Sequence, residues 1–429
     1  MSMEEAETQT VRCGLPAFGG LDGLDEPGLR LGEDDLAWWR DAKFGLFIHW
    51  GVYSGIGRGE WAYHNDKYAE EDYRNIAENF SPSRNAEAIV SGWLDAAQAA
   101  GMKYAVMVAR HHDGFALWDS SASYKNFTSA KLGPRMDYVA AFTRACHERN
   151  VYAGLYYSPM DWRFPGYFDP QGKPESALLM KQQAYGQIEE LCTNYGKIDI
   201  LWYDGGWLAH KGRDADAAWL WEPLKLNKLA RCYQPKMLIN PRSGFKGDFQ
   251  CDEGGHEVIG GIVPFAWEKN MSLSAAWAYR PEDTFLSSSQ VIRMLVNVII
   301  RGGNLLLNIG PDGEGHIPSA AAAVLRETGE WLGENGEAVY GTRAGIYEPV
   351  DGIYGSTCKG STVYVHILDR GAFANLILPP TEKRILAART LNGEGVAFTQ
   401  DKNGVRLELP PEPGDKKQVV TVVHLITEG

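Results

Sequence analysis

The stretch Ile198-Asp-Ile-Leu-Trp-Tyr-Asp-Gly-Gly-Trp207 begins as a buried strand and ends on an acid, two glycines and an indole. A short β-branched and aromatic run of this kind reads as strand. The carboxylate of Asp204 stands just where that strand stops. The same pattern recurs in both directions along the chain. Phe44-Gly-Leu-Phe-Ile48 runs into His49-Trp50-Gly51, and Tyr104-Ala-Val-Met-Val-Ala109 into Arg110-His-His-Asp-Gly114. Val151-Tyr-Ala-Gly-Leu-Tyr-Tyr157 is followed by Ser158-Pro-Met-Asp-Trp162, Met237-Leu-Ile-Asn240 by Pro241-Arg242, and Asn304-Leu-Leu-Leu-Asn-Ile309 by Gly310-Pro-Asp312.

Amphipathic, helix-like stretches lie between these runs, at 86–100, 137–148, 176–194 and 288–300. Apolar strands alternating with helices describe a parallel sheet covered on both faces. Polar and aromatic residues collect after strand upon strand, which is how a (β/α)8 barrel builds a site at the C-terminal ends of its strands. An open doubly wound sheet would use one crevice and a glycine-rich phosphate turn, and no GxGxxG or GxxxxGK[ST] occurs. The expected fold is therefore an α/β, TIM-like barrel over 35–338. A lead-in at 1–34, rich in Gly, Asp and Glu, is expected to be mobile. From 339 to 429 the helical period disappears and short strand candidates alternate with turns such as Asn392-Gly393 and Asn403-Gly404, which predicts an antiparallel β-sandwich.

The 429 residues carry 42 Lys+Arg against 55 Asp+Glu, a net charge of −13 that argues against nucleic acid or an anionic membrane as partner. Six scattered cysteines form no CxxC pair and read as isolated thiols. The acidic start, Met1-Ser-Met-Glu-Glu-Ala-Glu, has no apolar signal-type core, so a cytoplasmic location is expected. Tryptophan stands out, with 14 in the chain. Trp50, Trp61, Trp118, Trp162, Trp202, Trp207, Trp267 and Trp277 all fall near the expected barrel mouth.

No GxSxG supports a nucleophilic serine, and nucleotide and flavin motifs are missing. A metal site would draw on His49, His111, His112 and Asp113, but HExxH is absent; neutral imidazoles can equally donate to and accept from a polyhydroxylated ligand. Adjacent strand residues face opposite ways, so His111 and His112 can share one cavity only beyond the strand's end. The carboxylate reading begins with Asp204, whose following glycines let backbone approach whatever it faces. Its partner is Glu268 in Phe265-Ala-Trp-Glu-Lys-Asn-Met271, since an aromatic setting raises a carboxyl pKa and suits a general acid. Glu60, Asp113, Asp161, Asp252, Glu253 and Glu257 are rivals that spacing does not exclude. Glycoside hydrolysis needs one ionised and one protonated carboxyl group, and sugars stack their C–H faces on aromatic rings.

The ordered set Trp39-Arg-Asp-Ala-Lys-Phe-Gly-Leu-Phe-Ile-His-Trp-Gly51, His111-His-Asp-Gly-Phe115, Tyr156-Tyr-Ser158, Leu201-Trp-Tyr-Asp-Gly205, Asn240-Pro-Arg242, Trp267-Glu268 and Gly303-Asn-Leu-Leu-Leu-Asn-Ile-Gly310 resembles the α-L-fucosidases of glycoside hydrolase family 29. The resemblance implies a barrel followed by a β-sandwich, a retaining double displacement, and release of L-fucose from oligosaccharides or glycoconjugates. It places the nucleophile on Asp204 and the acid/base on Glu268. Residues holding the sugar match as His49, Glu60, Trp61, His111, His112, Tyr157, Trp202, Arg242 and Trp277. No metal or organic cofactor is implied, and a homo-oligomer is expected. One departure concerns the loop after Trp-Glu, where members often read x-Cys-x-Thr/Ser-Ile and this chain reads Lys269-Asn270-Met271-Ser-Leu273. Glu253 or Glu257 are the alternatives for the acid. A non-catalytic carbohydrate-binding protein on the same scaffold and a metal-dependent barrel hydrolase are the competing functional classes.

Overall fold

The computed structural model describes residues 22–411 and 418–428. Eight parallel strands form the main sheet: β1 (Phe44–Ile48), β2 (Tyr104–Arg110), β3 (Tyr152–Tyr157), β4 (Ile200–Tyr203), β5 (Leu238–Ile239), β6 (Gln250–Glu253), β7 (Trp267–Ser272) and β8 (Asn304–Ile309). Their order is β5-β4-β3-β2-β1-β8-β7-β6, so the first and last of these eight strands pair and the sheet curls into a barrel. The seam lies between β5 and β6, where the Asp248 N–H donates to the Ile239 carbonyl at 2.8 Å.

Period-two alternation sorts the side chains into two cores. Phe47, Tyr104, Val106, Val108, Tyr156, Ile200, Trp202 and Leu306 fill the barrel interior. Their neighbours Leu46, Ala105, Met107, Leu155, Tyr157, Leu201 and Leu307 face out against the surrounding helices. Each such large side chain contributes ~1.5–3 kcal/mol through removal from water. The Glu33–Ala42 helix closes the N-terminal end, and its Leu36, Trp39 and Ala42 join the interior core.

Helices Ala86–Ala99, Tyr138–Glu148, Pro174–Asn194 and Pro223–Tyr233 follow the first four strands, and Ser288–Ile299 precedes β8. No helix follows β5 or β6: residues 240–249 and 254–266 are loops with turns only. The alternation expected from sequence therefore lapses at β6 and β7. Their segments, Gln-Cys-Asp-Glu and Trp-Glu-Lys-Asn-Met-Ser, are too polar to read as buried strands.

Further along, β9 (Arg343–Ala344), β10 (Tyr354–Lys359), β11 (Thr362–Ile367), β12 (Ile385–Thr390) and β15 (Thr421–Thr427) make an antiparallel sheet in the order β12-β15-β11-β10-β9. The hairpin β13 (Ala397–Asp401) and β14 (Gly404–Glu408) forms a second, two-stranded layer. Val405 and Leu407 of this hairpin pack with Val363, Val365 and Val423 of the larger sheet. Residues 1–21 of the expected lead-in lie outside the described residues. Residues 22–34 are tied down: Leu24 bridges to Phe245, and Asp22 pairs with Arg213 at 2.9 Å. Cys13 also lies outside the described residues, and the other five cysteines are free.

Candidate active site

A cavity of about 80 Å³ opens at the C-terminal ends of the strands, far smaller than the ~300–1,000 Å³ that drug-sized ligands occupy. It suits one small ring. β1 sends His49, and the segment after it sends Glu60 and Trp61. β2 ends at Arg110, so His111 and His112 lie beyond the strand and both face the cavity, their rings 4.1 Å apart. Tyr156 comes from β3, Trp202 and Asp204 from β4, Glu253 from β6, Asn270 from β7 and Trp277 from the segment that follows it.

Arg242 organises the charge. Its Nη2 meets Asp204 Oδ1 at 2.9 Å, its Nε meets Asp214 Oδ2 at 3.2 Å, and its Nη1 pairs with Glu253. Three carboxylates around one guanidinium hold its pKa well above the ordinary value. The other oxygen of Asp204 accepts the Tyr156 hydroxyl at 2.8 Å and lies 3.5 Å from His112 Nε2. Asp214, behind the site, accepts the Gly206 N–H at 3.0 Å; burial and the charge of Asp204 raise its carboxyl to about 7 despite Arg242.

The histidines are neutral donors and acceptors. Burial lowers His49 to about 4 and takes His111 and His112 well below the ordinary histidine range. Asn308 donates its amide to the Trp277 carbonyl at 2.6 Å, which leaves its oxygen to accept from His49 Nδ1, also at 2.6 Å. His49 Nε2 is then a bare acceptor. His111 Nδ1 and Asn270 Oδ1 are buried without a hydrogen-bond partner, a state that costs about 1–3 kcal/mol and that a polar ligand would relieve. Glu60 accepts the Ala278 N–H at 3.0 Å, and burial pushes its carboxyl above the usual range.

Two residues expected in the site are elsewhere. Tyr157 points outward from β3, accepting from Arg110 Nη1 at 3.1 Å and donating to Gln187 at 2.9 Å. Its neighbour Tyr156 takes the inward position, because successive strand residues face opposite ways. Glu268 is fully buried at the other end of the barrel. It is the second residue of β7, level with Asn304 at the start of β8. Tyr104, the first residue of β2, donates to it at 2.6 Å, and Trp202 Nε1 donates at 3.0 Å. Burial raises Glu268 to about 7, so the pKa expected from its aromatic setting is present; what is missing is access to the cavity. Glu268 anchors from below the indole that forms part of the cavity wall.

The rival acids separate in the same way. Asp161 is held by Arg110 at 2.6 Å and by Arg163, Asp113 by Tyr73 at 2.6 Å, and Asp252 by Lys269 at 2.9 Å, all away from the cavity. Glu253 alone of the late acids reaches it, level with Asn270 on the neighbouring strand. Of the eight tryptophans expected at the mouth, Trp61, Trp202, Trp207 and Trp277 line the cavity. Trp162 packs behind it, 5.0 Å from the ring of Trp61 and 5.3 Å from that of His112, while Trp50, Trp118 and Trp267 donate to Asp312 O, Glu190 and Arg301 O within the packing. Sequence reasoning missed Tyr156 and Asn270 as site residues. Strand parity carried the signal for the first; the polarity of β7 hid the second.

Among the described residues, no group of three or more His, Cys, Asp or Glu side chains is placed to hold a metal ion, and no helix is long and apolar enough to cross a membrane. Two carboxyl groups on one arginine, aromatic walls and partnerless polar atoms at the mouth of a parallel barrel define a barrel glycoside hydrolase. The family model for alpha-L-fucosidase matches residues 32–337. Plasma alpha-L-fucosidase of Homo sapiens is 31% identical over 436 residues, covering 92% of this chain and 88% of that protein. The solved alpha-L-fucosidase isoenzyme 1 from Paenibacillus thiaminolyticus superposes with a TM-score of 0.79 at 31% identity, covering 92% of this chain and 99% of the other. The Thermotoga maritima alpha-fucosidase, solved in complex with fucose, gives a TM-score of 0.72 at 26% identity, covering 91% and 96%. The chain belongs to the alpha-L-fucosidase family.

Proposed function

We propose that this protein is a retaining exo-glycosidase that hydrolyses α-L-fucosides, with Asp204 as nucleophile and Glu253 as acid/base. The observation that carries the reading is Arg242, whose two terminal nitrogens hold Asp204 and Glu253 at the wall of one small cavity. Carboxylates sharing one guanidinium fork stand a few ångströms apart. Retention needs the two carboxyl groups ~5–5.5 Å apart, closer than the ~6.5–9.5 Å that leaves room for an inverting water, and a shared guanidinium favours the closer spacing. Membership of the family supports the substrate class.

In the first step an oxygen of Asp204 attacks the anomeric carbon while Glu253, in its protonated form and off Arg242, gives that proton to the departing oxygen, producing a covalent fucosyl-enzyme and a free alcohol. In the second, Glu253 takes a proton from water, which attacks the same carbon and frees Asp204 and L-fucose. Glu253 suits both steps because it is the most exposed carboxylate on Arg242, 38% against 14% for Asp204 and 12% for Asp214. Leaving group and water can both reach it there. Neutral His49, His111 and His112 grip the ring hydroxyls, while Trp277 and Phe47 offer apolar surface for the C6 methyl. Early-time proton NMR of 4-nitrophenyl α-L-fucoside hydrolysis tests the whole reading. α-L-Fucose should form first, in buffer with or without EDTA. The β anomer first, or no turnover of any α-L-fucoside, overturns it.

A further inference from the structure

Glu253 is the last residue of β6, and the chain turns away directly after it, with the Gly254 N–H still donating to the Asn270 carbonyl of β7 at 3.1 Å. Gly254 and Gly255 both adopt left-handed conformations, φ 72° and 63°, with no neighbour near either Cβ position. The segment from 254 to 266 contains no helix. Inside the barrel Glu253 meets Arg242. On the other face stands Lys269, 2% exposed and paired in register with Asp252. Its ammonium bonds Asp252 Oδ2 at 2.9 Å and also bonds the Gly254 carbonyl. These are the residues immediately before and after Glu253. Elsewhere the outward strand positions are apolar and pack on helices, as Leu305 and Leu307 of β8 do. Here the outward position of β7 between Trp267 and Met271 is charged, and it faces Asp252 of β6, a strand followed by no helix.

We infer that Lys269 is a positioning residue for the acid/base: its ammonium staples the two neighbours of Glu253 from outside and fixes the direction in which that carboxyl enters the cavity. The inference rests on the role proposed for Glu253. Tying the side chain before Glu253 and the carbonyl after it restricts the path by which its carboxyl enters the cavity, and misplacement of a reacting group by ~1 Å costs ~10²-fold in rate.

The test compares α-L-fucosides whose leaving groups need protonation to different degrees: 2,4-dinitrophenyl, 4-nitrophenyl and methyl. In the full chain, K269M should lower kcat/KM for the methyl fucoside by ~10²-fold yet leave the dinitrophenyl substrate within ~3-fold. K269R should restore most of the loss. K269M/D252N, which leaves no unpaired buried carboxylate, should keep the wild-type melting temperature and the same steep leaving-group dependence. An equal loss on all three substrates, or none, overturns the inference. E253A separates the two layers. If E253A is steep and azide rescues its aryl substrates while K269M is flat, only Lys269 fails; if E253A is itself flat, the assignment of Glu253 fails and takes Lys269 with it.

Discussion

Asp204 and Glu268 are acids on strands of one barrel, and the same indole stands between them. The ring of Trp202 lines the cavity beside Asp204, and its Nε1 reaches the other way to Glu268 at 3.0 Å. Asp204 follows its strand; Glu268 is near the beginning of its own. One therefore meets Arg242, Tyr156 and the solvent-reached end, while the other is sealed above the Glu33–Ala42 helix. Burial raises the Glu268 carboxyl even though Trp202 donates to it, so a shifted acid marks a site only when it also faces space. Depth along the barrel axis, more than local chemistry, separates a reacting group from a supporting one.

The largest expected effect breaks the mouth. D204G should lower kcat/KM by more than ~10⁴-fold with the melting temperature preserved, as removal of a nucleophile does elsewhere. Azide restoring turnover through a glycosyl azide would support the assignment, and wild-type rates within a few-fold would sink it. E253Q comes next, with a loss of ~10²–10⁴-fold on substrates with poor leaving groups. The matching E268Q should stay within ~10-fold of wild type, because Glu268 contacts only the wall; a collapse as deep as that of E253Q would erase the distinction between the two ends.

Stability sharpens the same contrast. The folded chain keeps the Glu268 proton up to about pH 7, whereas an unfolded carboxyl releases it near 4.5. The folded state then binds more protons across that window, so this group's contribution falls as pH rises from about 4.5 and is gone above about 7. The difference is of order ~3 kcal/mol. E268Q should therefore melt closer to wild type, or above it, at pH 8 than at pH 5, and a pH-independent gap would show that the carboxyl titrates normally. The smallest effect distinguishes adjacent tyrosines. Y156F removes a hydrogen bond to the Asp204 carboxylate, ~1.5–3 kcal/mol and hence roughly 10–100-fold in kcat. Y157F should cost ~1 kcal/mol of stability with little change in rate; the reverse result would mean that the parity of β3 is wrong.

How much could be read in advance follows from how each strand is covered. β1 to β4 and β8 are buried on both faces, and their apolar runs announce them without ambiguity. β5 is two residues long but lies within a run that also reads as strand. No helix separates β5, β6 and β7, and the outward Asp252 and Lys269 form an ion pair, so the composition of β6 and β7 resembles a loop. With no strand recognised there, Glu268 had no assignable end, and an acid next to a tryptophan looked like the better candidate. Glu253 stood only as an alternative, alongside Glu257. The histidines fared better, because the strand run stops at Arg110 and both must lie beyond it.

Local sequence therefore determined whatever depends on near neighbours in the chain. That covers the strand–helix rhythm, the strand ends that carry His49, His111, His112 and Asp204, and the family to which the ordered motifs belong. Only the tertiary structure decided that Arg242 joins Asp204 to Glu253, that Tyr156 rather than Tyr157 faces inward, and that Glu268 is part of the floor. The physical reason is closure. Barrel register sets which residues of strands separated by dozens of positions stand level with one another, and a one-residue change in register exchanges inside for outside.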